Sequence, residues 1–192
     1  LWPHELFHNI YNDYPSAWKK LICPSRERLQ AFWASQEDNP QMLGHPMRLK
    51  DNWRSLAIPI SLHGDGAPVT GIGKSWSRSG MFYSWCSLLA GQATTRAFNF
   101  LIWACFTYVK SKQFARNTSH IFWRKCVWSL EQCYRGRFDD FDWEGKAFTT
   151  ALDLGRRGKE LAGGYFLQVW AIKGDLEYFC RDLKLPEFGS TA

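Results

Sequence analysis

The sequence predicts an α/β fold built around a mixed sheet. Three short apolar runs, rich in β-branched and aromatic residues and bounded by glycine or polar residues, are typical of strands. These runs are Leu56–His63, Met81–Ala90 and Tyr165–Ile172. Between the second and third runs lie two longer segments whose apolar residues recur at helical spacing. Strands separated by helices are the pattern of an α/β protein.

The first run, LAIPISLH, leads into Gly64-Asp65-Gly66. This pattern predicts a strand that delivers an acidic side chain into a glycine turn. Pro59 within the run lacks an N–H and favours an edge strand or an irregular strand start. A hairpin with Met81–Ala90 would place Asp65 near the mouth of the connecting loop.

The helical segments are predicted at Thr95–Phe114 and Ser119–Tyr134, with Ser119 as N-cap and Gly136 as the stop. A shorter helix is predicted over residues 24–33, with Ser25 near its start. Residues 136–164 are polar and glycine-rich and favour a loop or insertion. The third strand then ends at Lys173-Gly174-Asp175.

The length of 192 residues suits one domain with an N-terminal appendage. We divide the chain into residues 1–55, of unclear role, and residues 56–192, with a helical insertion at about 92–162. The net charge of +6 permits an anionic partner such as nucleic acid, and is equally typical of a solvated basic surface. Six cysteines without CxxC spacing indicate free thiols of a reducing compartment. We expect no transmembrane helix, since the longest apolar stretch is too short.

The two Gly-Asp pairs are the strongest chemical signal in the sequence. Asp65 and Asp175 each follow an apolar run directly after a glycine. Carboxylates at strand ends suit Mg²⁺, which takes one or two carboxylates together with waters and phosphate oxygens. The adjacent glycine would let a phosphate backbone approach closely. An isolated Gly-Asp after a strand is more often a simple turn, so the interpretation rests on the two occurring together.

The stretches IPISLHGDGAPVTGIGKSWSRSGMFYSWCSLLA and AGGYFLQVWAIKGDLEYFCRDLKLP resemble DDE-type transposases of eukaryotic cut-and-paste elements and open reading frames derived from them. The resemblance implies a partial RNase H-like core over residues 56–188. In that family the first aspartate ends one strand and the second often lies in a Gly-Asp-Leu context after a helical insertion. Asp65 and Asp175 match these two positions.

The resemblance implies metal-dependent phosphoryl transfer on DNA, with Asp65 and Asp175 as catalytic ligands of Mg²⁺ or Mn²⁺. The family's third acidic ligand, on a later helix, is absent, as is a Cys/His knuckle. We therefore expect a fragment that holds metal weakly and is inactive alone. Lys74, Trp76, Arg78 and Lys173 are the candidate DNA contacts. A nuclear location follows from this interpretation, and homo-oligomerisation of the full-length protein stays open.

Two alternatives stay open. The chain could be a catalytically dead, transposon-derived fragment that binds DNA or another protein. It could also bind a nucleotide at Gly71–Ser75, because Gly-Ile-Gly-Lys-Ser ends like a Walker A loop. The full Walker pattern needs a glycine where Pro68 stands.

Overall fold

The computed structural model describes residues 1–70, 78–90, 98–113, 117–175 and 178–182. The helices are α1 (Pro3–Asp13), α2 (Pro15–Ala17), α3 (Arg26–Ser35), α4 (Trp53–Leu56), α5 (Thr118–Arg135) and α6 (Ala151–Arg156). The strands are β1 (Ala57–Thr70), β2 (Arg78–Ser87), β3 (Phe100–Phe106) and β4 (Phe166–Lys173). Short 3-10 or π-helical turns cover Trp18–Ile22, Pro40–Met42, Pro46–Leu49, Thr107–Val109 and Tyr178–Asp182.

The four strands form one mixed sheet in the order β3-β2-β1-β4. β1, β2 and β3 are successively antiparallel, whereas β4 runs parallel to β1. A parallel neighbour needs a long crossover, and the segment containing α5 provides it. The prediction of an α/β fold with a mixed sheet is therefore confirmed.

The first strand differs from the prediction in two ways. β1 does not stop at His63 but continues to Thr70, so Asp65 lies within a strand, opposite Phe82, and not in a turn. β1 is also central rather than an edge strand. Pro59 is tolerated there because it lies where the ladder to β2 ends: its carbonyl accepts the Leu88 N–H at 2.9 Å, while the regular pairing begins at Ile60.

The helix predicted over Thr95–Phe114 was wrong. Residues 100–106 form β3, which pairs with β2 and is followed by a single 3-10 turn. A continuous apolar run such as FLIWACF satisfies helical and strand spacing alike. Tertiary packing decides between them, because Trp103 on the strand stacks on Tyr83 and on Phe122, with ring centroids 5.8 and 4.6 Å apart.

The helices at 24–33 and 119–134 are confirmed with small shifts. Ser25 caps α3 by accepting the Arg28 N–H at 3.2 Å. α5 begins one residue earlier than predicted, and Asn117, not Ser119, is its cap, accepting the His120 N–H at 3.0 Å. Gly136 ends α5 in the left-handed region with φ of 77°, a conformation that favours glycine.

The N-terminal residues share a core with the sheet. Phe7 of α1, Trp33 of α3 and Met47 are fully buried in one cluster with Ile58 and Ile60 of β1. A second cluster joins α5 to β2 through Phe122, Cys126, Met81 and Tyr83. Segment 1–55, to which the sequence assigned no role, therefore packs directly on the strands that carry the candidate carboxylates.

The six cysteines are all free within the described residues. Four are buried, and burial raises the pKa of Cys23 to about 11 and that of Cys126 to about 12. Such thiols are mostly un-ionised at neutral pH and unreactive. Among the described residues, no helix combines the length and apolar character needed to cross a membrane.

His4 joins α1 to α5 in the interior. Its backbone N–H donates to the Ser129 hydroxyl at 3.1 Å, and its ring Nδ1 lies 2.8 Å from the same oxygen. Burial lowers the pKa of His4 to about 4; Glu5 opposes this shift, and Arg156 adds to it. The imidazole is therefore neutral in the folded protein at pH values where an exposed histidine is charged.

We expect the free energy of unfolding to fall by roughly 2–3 kcal/mol between pH 6.5 and pH 4 because of His4 alone. In that range the unfolded chain binds a proton at His4 that the folded chain excludes, so stability is full above pH 6.5 and is lost towards pH 4. Urea unfolding of wild type and His4→Asn across this range isolates the contribution. The stability difference between the two should shrink as the pH falls. If the free energies of unfolding of wild type and His4→Asn changed in parallel with pH, the predicted contribution of His4 would be contradicted.

Candidate functional site

The sheet register brings Asp65, within β1, next to the end of β4, which Asp175 follows. The parallel ladder of β1 and β4 pairs Leu62 with Ile172 and His63 with Lys173. Asp65 follows two residues later within β1, whereas Asp175 follows two residues later, beyond the end of β4 at Lys173. Neighbouring strands lie about 4.8 Å apart. The backbones of the two Gly-Asp pairs, whose aspartates are 110 positions apart in the sequence, therefore lie next to each other: a methyl group on Gly174 would lie 2.9 Å from the Gly64 carbonyl oxygen.

The aromatic ring of Tyr178 packs against the glycines of both Gly-Asp pairs. A methyl group on Gly64 would lie 2.3 Å from the Tyr178 ring, and one on Gly174 would lie 2.2 Å from the same ring and 2.9 Å from the Gly64 carbonyl oxygen. Tyr178 is 3% exposed and fills the surface that both glycines leave open. The proposed role of these glycines, close approach of a phosphate, is therefore wrong: the space beside them is occupied by Tyr178.

Side-chain alternation along β1 sets the direction of the Asp65 side chain. Position 64 faces Tyr178, so Asp65 projects from the opposite face of β1, in the row that contains Ser61 and His63. Ser61 is fully buried and contacts the Cys86 thiol at 3.1 Å, whereas Asp65 is half-buried. This row of polar side chains thus runs from buried Ser61 to half-buried Asp65, the candidate ligand.

Asp175 has a structural contact of its own. Its Oδ1 accepts the Tyr178 N–H at 2.7 Å, the contact that an N-cap aspartate makes with the third residue of a helix. The carboxylate thereby holds the Tyr178–Asp182 turn in place. As a residue, Asp175 is exposed.

The remaining predicted residues are placed unevenly. Lys173 is exposed at the end of β4, opposite His63 in the ladder and two positions before Asp175. Arg78 is the first residue of β2, with its backbone alone described. Lys74 and Trp76, together with the Gly71–Ser75 motif, lie outside the described residues.

In the described part of the chain, Asp65 and Asp175 are the candidate carboxylate ligands. Within it, no group of three or more His, Cys, Asp or Glu side chains is close enough to hold a metal ion. Mg²⁺ takes one or two carboxylates and completes its octahedron with waters and phosphate oxygens, so it is the ion that two such ligands would suit. The pair does not form the closed, all-protein cage of a structural site.

Tyr178 is the residue that sequence reasoning missed. It lies three positions after Asp175, and this spacing is the one at which a capping aspartate meets a backbone N–H. That signal could have indicated the cap. Its ring contact with Gly64 links residues 114 positions apart, which local sequence does not reveal.

Comparison with known proteins gives no identification: no protein-family model, no curated protein and no solved structure matches this chain.

Proposed function

We propose that residues 56–192 form the first part of an RNase H-like core of a DDE-type transposase, in which Asp65 and Asp175 are ligands of a catalytic Mg²⁺ or Mn²⁺ ion. The observation that supports the proposal is the parallel register of β1 and β4, which brings the backbone of Asp65 next to the end of β4, where Asp175 follows. The three antiparallel strands followed by a helix and a parallel fourth strand agree with such a core.

The reaction class follows from the ligands. A divalent ion held by these carboxylates would activate a water or a 3′-hydroxyl and stabilise the leaving oxygen of a phosphodiester. The chain's own contribution is to hold Asp65 on a central strand and Asp175 on the capped turn after β4. Lys173, exposed at the same end, supplies a positive charge for a DNA phosphate.

The nucleotide-binding alternative is less favoured. A Walker loop needs a helix whose N-terminus receives the phosphate. The described chain resumes at Arg78 as β2, a strand antiparallel to β1, where a Walker loop is followed by a helix. The alternative of a non-catalytic fragment is favoured by one contact, the Asp175 cap, because it gives this carboxylate a purely structural use.

Mn²⁺ binding separates these roles. Electron paramagnetic resonance of free Mn²⁺ should show that Asp65→Asn and Asp175→Asn lose affinity by at least 10- to 100-fold, the loss typical when a residue that only supports a metal ligand is changed. Asparagine keeps the oxygen that accepts the Tyr178 N–H, so Asp175→Asn removes charge without removing the cap. Asp51→Asn, at an exposed position in the turn before α4, is the matched control and should bind as wild type.

The reaction is tested with the protein encoded by the open reading frame that contains these residues. We expect Mg²⁺- or Mn²⁺-dependent nicking of supercoiled DNA that disappears in Asp65→Asn and in Asp175→Asn. Unchanged Mn²⁺ affinity in both variants would overturn the metal site. Metal binding without nicking would leave a metal-binding DNA or protein module and would overturn the assignment of the reaction.

A further inference from the structure

One face of the sheet carries an aromatic ring outside the core. Side chains alternate along a strand, so Met81 and Tyr83 of β2 point to one face and Phe82 to the other. Met81 and Tyr83 are buried in the cluster with α5. Phe82 belongs to neither hydrophobic cluster of the described residues and is half-buried. Because β2 is paired with a strand on each side, its backbone is largely covered, and the exposed part of Phe82 belongs mainly to the ring.

The strand register places Phe82 beside the candidate metal ligand. Phe82 pairs with Asp65 of β1 on one side and with Ala104 of β3 on the other. Residues directly opposite each other in an antiparallel pair share a face, with Cβ atoms about 4.5–5.5 Å apart. The Phe82 ring therefore lies next to Asp65, on the face from which that carboxylate projects.

Small neighbours leave the ring accessible. A methyl group on Gly80 would lie 3.2 Å from Cε2 and Cζ of Phe82 and 3.2 Å from the Val69 side chain. The ring thus leans along β2 into the space that Gly80 leaves free. Ala104, on the other neighbouring strand, is exposed and too short to cover the ring. The result is a low aromatic surface beside a carboxylate.

This surface continues across the sheet as an apolar patch with charges at one end. Leu101 and Val69 are 58% and 42% exposed. His63 and Lys173 pair in the β1–β4 ladder and share the face of Asp65, because His63 precedes Asp65 by two positions. Exposed apolar patches rimmed by polar residues mark interaction surfaces. We define the aromatic face as Val69, Phe82, Leu101, Ala104 and Phe106.

The charges beside the aromatic face favour a nucleic-acid partner. An apolar protein surface seated here would bury Asp65 and Lys173, and burying charges without matching partners is costly. A DNA strand supplies a phosphate for Lys173 and for an ion held at Asp65, together with bases that stack on aromatic rings. The net charge of +6 favours the same polyanion.

We propose that Phe82 stacks on an unpaired base of the DNA substrate, next to the phosphodiester that reacts at Asp65. Phe82 is then a substrate-binding residue that fixes where the strand lies relative to the carboxylate. Its place in the reaction rests on the proposed function. The stacking itself needs no metal ion, so it can be measured separately from metal binding.

Fluorescence anisotropy of the 192-residue chain in EDTA tests the stacking. The probes are a strand of about ten thymidines, within the range of single-strand site sizes, and an abasic strand of the same length. Both carry the same phosphates, so the difference in affinity isolates the bases. We expect the thymidine strand to bind more tightly. Phe82→Leu should weaken it about tenfold and leave the abasic strand unchanged, whereas Phe82→Trp should retain the preference for bases.

Two controls keep the outcomes distinct. Phe141→Leu changes a phenylalanine that is 52% exposed and lies outside the sheet, and should bind both strands as wild type. Asp65→Asn should keep the preference for bases, so that a failure of the metal site and a failure of stacking are separate results. Equal affinity of wild type for the two strands, or unchanged thymidine binding in Phe82→Leu, would overturn the proposal. Self-association in sedimentation that Phe82→Leu abolishes would assign the aromatic face to a second copy of the chain and would overturn it as well.

Discussion

Replacing Trp33 by alanine is expected to lower the free energy of unfolding by about 4–5 kcal/mol, the upper range for a buried aromatic truncation. Trp33 is fully buried, and its indole N–H donates to the Ala57 carbonyl at the start of β1 at 2.7 Å. Its ring meets Trp53 and Trp170 edge-on, with centroids 5.5 and 5.1 Å apart. Truncation therefore opens a cavity and orphans a buried carbonyl.

Trp33 also couples the two strands that carry the candidate ligands. Through Ala57 it contacts β1, and through Trp170 it contacts β4. We therefore expect Trp33→Ala to weaken Mn²⁺ binding as well as stability, without touching a ligand. Urea denaturation measures the first effect and electron paramagnetic resonance the second.

Two variants calibrate the result. Trp33→Phe keeps most of the ring and removes the hydrogen bond, so its cost should be about 1–3 kcal/mol. Trp143→Ala truncates a half-exposed tryptophan and should cost less than either. If Trp33→Ala were no more destabilising than Trp143→Ala, the packing of α3 on the sheet would be wrong.

The sequence was informative where local chemistry decides the structure. Ser25 and Gly136 have the residue types that caps require, and both bound their helices as predicted. The alternating and apolar runs that became β2 and β4 are likewise local signals. Segment 100–106 was misassigned because a run of apolar residues does not reveal whether it pairs with a strand or packs as a helix.

The sequence predicted the two aspartates of the candidate site, which lie in local motifs, but not the long-range contacts around them. The recurrence of Gly-Asp after two apolar runs could be read from the sequence, and the resemblance assigned the two aspartates to one site. The parallel register of β1 and β4 and the Tyr178 ring between Gly64 and Gly174 are long-range features. The Tyr178 ring, which lies 114 positions from Gly64, occupies the space beside both glycines, so the role predicted for them from the sequence, close approach of a phosphate, was wrong.

Gly64→Ala and Gly174→Ala are each expected to cost about 3 kcal/mol, the upper part of the range for overpacking. The added methyl groups would lie 2.3 and 2.2 Å from the Tyr178 ring, which is too close for any contact. Gly174→Ala also approaches the Gly64 carbonyl at 2.9 Å, so the ring alone cannot relieve it. Displacing Tyr178 would disturb the cap that orients Asp175.

Gly155→Ala is the matched control, because nothing lies within 4 Å of a methyl group there and the residue is in helix α6. It should stabilise the chain by about 0.5–1 kcal/mol, since alanine is the better helix former. Combining Gly64→Ala with Tyr178→Ser should recover stability relative to the sum of the two single changes, because the clash has gone. Simple additivity in this cycle, measured by urea unfolding, would show that Tyr178 does not occupy the space beside Gly64. The geometric basis for placing Asp65 and Asp175 side by side would then lose one of its two supports, leaving the β1–β4 register alone.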